Sequence, residues 1–133
     1  MTLRFGIIAD DASAHPSGGI CIWNTFNAIR ANKVPNTLKK CAMALFIDIE
    51  PHDIEKELGL EISWNDPDNK KIIHFNIQLP VTKLYKPNAS EPFIIHFVDL
   101  PVPKYGPHYF HVIGGEIDHQ ILIDVTSQPM QGS

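Results

Sequence analysis

The stretch LGLEISWNDPDNKKIIHFNIQL, residues 58–79, decides the fold class of this chain. Apolar side chains alternate with polar or small ones on both sides of a central Asn/Asp/Pro cluster. A period of two is typical of a β-strand with one buried face, and such a cluster between two alternating runs predicts a turn. The stretch therefore predicts a β-hairpin whose buried side chains are Leu58, Leu60, Ile62, Trp64, Ile73, Phe75, Ile77 and Leu79.

The same alternation continues along most of the chain and predicts about eight strands. Turn-forming residues separate them, for example His15 to Gly19 and Pro87 to Ser90. The pattern predicts an all-β fold, an immunoglobulin-like antiparallel β-sandwich of seven to eight strands, with a closed barrel as the alternative. The predicted strands are 3–9, 19–28, 40–50, 56–64, 70–79, 92–99, 107–113 and 118–126.

Neighbouring side chains of a strand point to opposite sides of the sheet, so the sequence also predicts which side is buried. One side carries Met43, Leu45, Ile47 and Ile49 in the third strand, and Ile121, Ile123 and Val125 in the last strand. Two segments are apolar on both sides: residues 93–98, and the third strand through Ala42, Ala44 and Phe46. We expect both strands to be covered, and a two-sided apolar strand is suited to a homodimer surface.

The length of 133 residues predicts a single domain over residues 1–126 with a flexible tail at 127–133. The uncharged apolar stretches are far shorter than the ~20 residues of a membrane helix, and the first residues lack the layout of a signal peptide. Eleven basic against fifteen acidic residues give a net charge of -4, which disfavours nucleic-acid binding. We therefore expect a cytoplasmic protein that binds neither membranes nor nucleic acid.

Four short motifs can be compared with known families: Ile7-Ile8-Ala9-Asp10, the segment from Gly18 to Asn27, Asn65-Asp66-Pro67-Asp68, and the segment from Gly106 to Val112. Together they resemble a family of small uncharacterised bacterial domains. The resemblance covers nearly the whole domain and implies an immunoglobulin-like β-sandwich. It implies no activity and no catalytic residue.

Aromatic and proline residues, most of them in the predicted loops and one in the strand predicted at 107–113, are the candidate partner-binding residues. Aromatic side chains bury a large area at low entropic cost, and binding residues of β-sandwiches collect in loops. The candidates are Tyr85, Pro103, Tyr105 and Tyr109. We expect a non-catalytic intracellular interaction or scaffold module that binds a protein through these loops, through a sheet edge, or by pairing with itself.

Loop aspartates favour a second hypothesis, a calcium- or ligand-dependent binding domain. Asp10 and Asp11 follow the first strand, and Asp66 and Asp68 lie in the central turn. A calcium ion collects six to eight oxygen ligands, which loops at one end of a sandwich can supply. The same Asp-Pro-Asp-Asn sequence is also ordinary turn chemistry.

No pattern in the sequence indicates an enzyme or a cofactor. There is no nucleophile elbow, no cysteine-protease signature and no phosphate-binding loop. Cys21 and Cys41 have no nearby cysteine partner and are expected to be free thiols. His108 and His111 would point to opposite sides of one strand, whereas convergence of His74 and His96 on adjacent strands stays open.

Overall fold

A computed structural model describes residues 1–15, 19–53, 58–79 and 91–127. The described residues form nine strands and one short 3-10 turn at Pro51–Asp53. No helix within these ranges is long and apolar enough to cross a bilayer. The strands are β1 (Thr2–Ala14), β2 (Ile20–Thr25), β3 (Ala28–Ala31), β4 (Asn36–Asp48), β5 (Gly59–Asn65), β6 (Lys71–Gln78), β7 (Glu91–Val102), β8 (Gly106–Gly114) and β9 (Ile117–Ser127).

The strands form two sheets. Sheet A has the order β2-β1-β4-β7, and sheet B has the order β3-β9-β8-β5-β6. All the neighbouring strands in these two orders pair antiparallel except β3 and β9, which pair parallel. The prediction of an all-β fold is therefore confirmed, whereas the prediction of a wholly antiparallel arrangement is wrong at β3.

One hydrophobic core joins the two sheets. Phe97 of sheet A lies against Phe110 of sheet B, with ring centroids 5.0 Å apart. Trp64 of sheet B is almost fully buried, and its indole N–H donates a 2.8 Å hydrogen bond to the carbonyl oxygen of Pro101 in sheet A. The predicted inward side of β4 is confirmed, since Met43, Leu45, Ile47 and Ile49 are all in the core.

The hairpin predicted from residues 58–79 forms as β5 and β6, with Ile62 opposite Phe75. Asp66 holds its turn together, because one carboxylate oxygen accepts 2.9 Å hydrogen bonds from the backbone N–H groups of Asp68 and Lys70. Asn69 adopts a positive φ of 64°, a conformation that asparagine tolerates better than most residues.

The predicted strand 19–28 is two strands, which is one reason why the strand count is nine rather than seven or eight. Asn24 has a φ of 54°, and β2 stops at the next residue. The chain then crosses at Phe26 and Asn27 from sheet A to sheet B, where β3 pairs with β9. Alternation along 19–28 was a poor guide here because a strand that changes sheets also changes which of its sides is buried.

Candidate functional site

The outward side of sheet A is the candidate functional site, and we name it the apolar face. In β4 the side chains of Met43, Leu45 and Ile47 fill the core, so the alternate residues of this strand point outward. The strand registers place their neighbours on the same side. The apolar face consists of Trp23, Phe5, Ile7, Ala9, Asp11, Lys40, Ala42, Ala44, Phe46, Asp48, Pro92, Ile94, His96 and Val98.

Large apolar side chains on this face are exposed to solvent. The exposed fractions are 46% for Phe5, 50% for Trp23 and 74% for Val98. The ring of Phe5 stacks on the ring of Phe46 at a centroid distance of 4.3 Å. Exposed apolar side chains gathered on one side of a small protein are typical of a surface that binds another molecule.

Alanines lie beneath the outermost side chains of the apolar face. Ala9, Ala42 and Ala44 point outward, yet each is at most 1% exposed. Ala44, for example, sits between Ile7 of β1 and Ile94 of β7 in the strand registers, and larger neighbours of this kind cover the short side chains. The surface that a partner meets is therefore formed by the larger side chains around the alanines.

Charged pairs mark both ends of the apolar face. At one end, Lys40 Nζ lies 3.1 Å from Asp11 Oδ2, and the hydrogen bond from Lys40 holds the pKa of Asp11 below its usual value. At the other end, Arg4 lies 3.4 Å from the Asp48 carboxylate. His96, beside Ala42 in the strand register, also lies 3.8 Å from Asp11. Both ends therefore carry charges of both signs, and most of the side chains between them are apolar.

The outward side of sheet B is polar by contrast, and we name it the polar face. His74 Nε2 lies 2.7 Å from Glu61 Oε1, and this contact and Lys71 lower the pKa of Glu61. His111 Nε2 lies 2.5 Å from Asp118 Oδ1. Ser63 lies between the two histidines in the strand registers, and its hydroxyl oxygen accepts a 2.9 Å hydrogen bond from the side-chain amide of Asn65.

The residues predicted to bind a partner are only partly available, and one of them, Tyr109, lies in strand β8. Tyr105 is exposed, but its hydroxyl donates a 3.0 Å hydrogen bond to the carbonyl oxygen of Ala31. The Tyr109 hydroxyl donates a bond of the same length to Asn69 Oδ1. Pro103 is half-buried, and Tyr85 lies outside the described residues. Both described tyrosines thus fasten segments of the chain to one another.

The four aspartates of the calcium hypothesis each have a partner. Asp66 binds turn amides and lies 3.9 Å from Lys104, which also pairs with Asp68. Asp10 accepts a 2.7 Å hydrogen bond from the side-chain amide of Asn24, and Asp11 pairs with Lys40. Within the described ranges, no three His, Cys, Asp or Glu side chains are grouped so that they could hold a metal ion.

The histidines of the late strands do not form one cluster. His74 and His96 belong to different sheets, so the sheet arrangement gives no support to their convergence on adjacent strands. His108 and His111 point to opposite sides of β8, as predicted: His108 is fully buried and stacks on Trp64 at 5.1 Å, whereas His111 lies on the polar face. Within the described part of the chain, the buried Nε2 of His108 has no hydrogen-bond partner.

The two cysteines are free, as the sequence predicts. Cys41 faces the core, and burial raises the pKa of its thiol to about 11. At neutral pH such a thiol is almost entirely protonated and therefore a poor nucleophile. Cys21 lies on the outward side of β2 and is half-buried.

The sequence shows parts of the apolar face but not that they are neighbours. Ala42, Ala44 and Phe46 lie opposite the predicted core, and residues 93–98 are apolar on both sides. Only the order β2-β1-β4-β7 places these strands and Trp23 side by side. Two apolar strands separated by more than 40 residues carry no local sign that they are neighbours.

The chain belongs to a family of unknown function, DUF6941, whose model matches residues 4–126. This family membership agrees with the resemblance to an uncharacterised domain family. No curated protein matches the chain at a significant level.

Proposed function

We propose that this chain is a non-catalytic protein-interaction module of the cytoplasm that binds a protein partner on the apolar face. The observation that carries the proposal is that exposed Phe5, Trp23 and Val98 all lie on this outward side, with Trp23 and Val98 flanking the Asp11–Lys40 pair and Phe5 toward the other end. Removing apolar surface from water contributes roughly 25 cal/mol per Å², so a partner that covers these side chains gains a substantial driving force. Trp and Phe are also enriched among the residues that dominate binding energy.

The apolar face suits a protein partner better than a small molecule. A small-molecule site is usually a concave cavity that encloses most of its ligand. The apolar face is instead the broad outer surface of a sheet, with charged pairs toward its ends. An apolar centre with a charged rim is the usual layout of a protein interface.

Binding through the loops is the weaker form of this proposal. Tyr105 and Tyr109 already use their hydroxyl groups within the chain. A partner that bound these hydroxyl groups would have to break their hydrogen bonds within the chain and form new ones. The net gain in binding free energy would be small. The apolar face requires no such exchange.

We also infer that the two sheets follow the immunoglobulin plan with one strand added. The order β3-β9-β8-β5-β6 corresponds to a variable-type sheet in which β8 and β9 take the places of strands F and G. Buried Trp64 on β5 takes the place of the tryptophan on strand C. In sheet A, β1 separates β2 from β4, where the immunoglobulin plan pairs the first two strands directly. We also propose, from the resemblance to bacterial domains, that the protein is bacterial.

A calcium-dependent module is the second and weaker proposal. A ligand that binds only the folded protein raises its melting temperature. If Asp10, Asp11, Asp66 and Asp68 bind calcium, millimolar calcium must raise the melting temperature relative to chelator, and D66N must abolish the difference. Because each of these aspartates already has a cation or amide partner in the structure, we expect no shift.

Site-specific photo-crosslinking in the native host tests the main proposal. A photoreactive phenylalanine analogue replaces Trp23 on the apolar face or, as the matched control, Leu122 on the polar face, which is 61% exposed. We expect a discrete crosslinked protein band from position 23 and none of comparable yield from position 122. Equal yields at both positions, or no crosslink from position 23, would contradict binding through the apolar face.

A further inference from the structure

We propose that the partner on the apolar face is a second copy of this chain, packed sheet to sheet about a two-fold axis. The axis lies in the plane of the interface, runs perpendicular to the strands, and passes over Ala44 of β4. This inference rests on the proposed function, because it names the molecule that covers the apolar face. It is argued from the order of side chains along β4 and β1.

The outward side chains of β4 read Lys40, Ala42, Ala44, Phe46, Asp48. Rotation about the proposed axis reverses this order, so each residue meets its counterpart at the same distance from Ala44. Lys40 then faces Asp48 of the partner subunit, and Phe46 faces the partner's Ala42. Opposite charges meet at both ends, large meets small between them, and small meets small at the axis.

The neighbouring strand β1 repeats the relation independently. Ile7 is opposite Ala44 in the strand register and therefore lies near the same axis. Phe5 and Ala9 lie one outward position to either side of Ile7, so each Phe5 would pack over the partner's Ala9. Beyond them, Asp11 at one end meets Arg4 of the partner subunit at the other. At the axis itself Ile7 meets the partner's Ile7, so β1 repeats the relation of β4 in its Phe5–Ala9 and Asp11–Arg4 pairs.

The other in-plane axis gives the wrong charges. An axis parallel to the strands would leave the order along β4 unreversed and place Lys40 over the partner's Lys40. Like charges brought together in an interface disfavour association. The perpendicular axis is therefore the arrangement that satisfies both the shape and the charge of this face.

Charge reversal across the proposed contact provides the test. The wild-type chain, K40E, D48K and an equimolar mixture of the two variants are compared by sedimentation velocity over a range of protein concentrations. Each variant alone faces like charges at both ends of β4, so we expect its dimer dissociation constant to rise about tenfold or more. In the mixture, opposite charges meet again at both ends, so we expect a K40E–D48K heterodimer to restore association. Q120R on the polar face is the matched control and should dimerise as the wild type does.

Three outcomes would overturn the inference. They are a wild type that stays monomeric at all concentrations, a dimer that neither reversal weakens, and reversals that weaken the dimer without restoration in the mixture.

The two proposals can fail separately. If the wild type is monomeric but position 23 still gives crosslinks to another protein, only the inference that the partner is a second copy is overturned. Absence of both self-association and crosslinks would contradict the proposed function as well. Circular dichroism of each variant verifies that it is folded.

Discussion

The outer face of sheet A and the outer face of sheet B lie on opposite sides of one core, but they meet solvent differently. On the apolar face the buried outward residues of the central strand are alanines, and the exposed residues include Phe5 and Trp23. On the polar face the buried outward residues of β5 are Ser63 and Asn65, which bond to each other. The exposed Ile113 and Leu122 are there surrounded by polar neighbours in register.

The difference shows that alternation along a strand and exposure to solvent are separate properties. A sheet that only had to be half-buried would carry polar side chains on its outer side, as sheet B does. The outer side of sheet A instead carries apolar side chains like those of a core, and several of them are exposed to solvent. The proposed partner covers these side chains.

Thiol reactivity should give the largest difference between the interior and the apolar face. Cys41 points into the core and Cys21 points outward on the edge strand β2. Because Cys41 reacts only when the domain opens, we expect it to react with a thiol reagent at least about a thousandfold more slowly than Cys21 at neutral pH. Mass spectrometry of timed reactions, with C21S as control, measures both rates. Comparable rates would show that the β4 core is open.

A buried carboxylate should separate the two faces most clearly in stability. A44D places a charge between Ile7 and Ile94, with no cation beside it in the strand register, and we expect a loss of about 3–5 kcal/mol in the free energy of unfolding. S63D places the same charge between His74 and His111, which can pair with it, and the loss should be less than half as large. Urea denaturation of both variants measures the difference. Equal losses would mean that the polar face is no better suited to charge than the apolar face.

Loss of the turn carboxylate should have an intermediate effect. D66A removes the acceptor of two backbone hydrogen bonds, so we expect the melting temperature to fall by several degrees at pH 7. The matched change on the apolar face, D11A, removes mainly a surface pair with Lys40 and should shift it far less. A shift for D11A as large as that for D66A would contradict this ranking.

The D66A effect should also depend on pH. The backbone N–H of Lys70 contributes most to a pKa of Asp66 below its usual value, although burial opposes it. Because the pKa of Asp66 is lower in the folded protein, its ionised carboxylate stabilises the fold above the unfolded-state pKa of about 3.9. This stabilisation is lost as the pH falls through the folded-state pKa. The melting temperatures of wild type and D66A should therefore differ at pH 7 and converge toward pH 2. A constant difference across this range would contradict the assignment.

The smallest effect should come from the ion pairs of the polar face. Glu61 is partly exposed and pairs with His74 and Lys71. Exposed pairs of this kind contribute little, so E61Q should leave the melting temperature nearly unchanged. A large shift by differential scanning fluorimetry would show that these pairs hold the sheet edge together.

Much of the fold follows from the sequence, because strand alternation is a local property. The hairpin of β5 and β6 and the inward side of β4 could be read directly from residues two apart. The division of 19–28 could not, since the chain changes sheets at Phe26 and Asn27 and β3 pairs with a strand almost 100 residues further on. Likewise, loop tyrosines were predicted as binding residues, but nothing local indicates that Tyr105 bonds to Ala31.

The sequence by itself determined that this chain forms β-strands with one inward side, because each strand carries its own period of two. Only the tertiary structure decided which strands are neighbours, and hence that Trp23, Phe5, Ala44 and Val98 lie on one face. Strand pairing is set by contacts between residues far apart in the chain, and the balance of those contacts is invisible to any local pattern. The candidate site therefore emerges only when the two sheets are assembled.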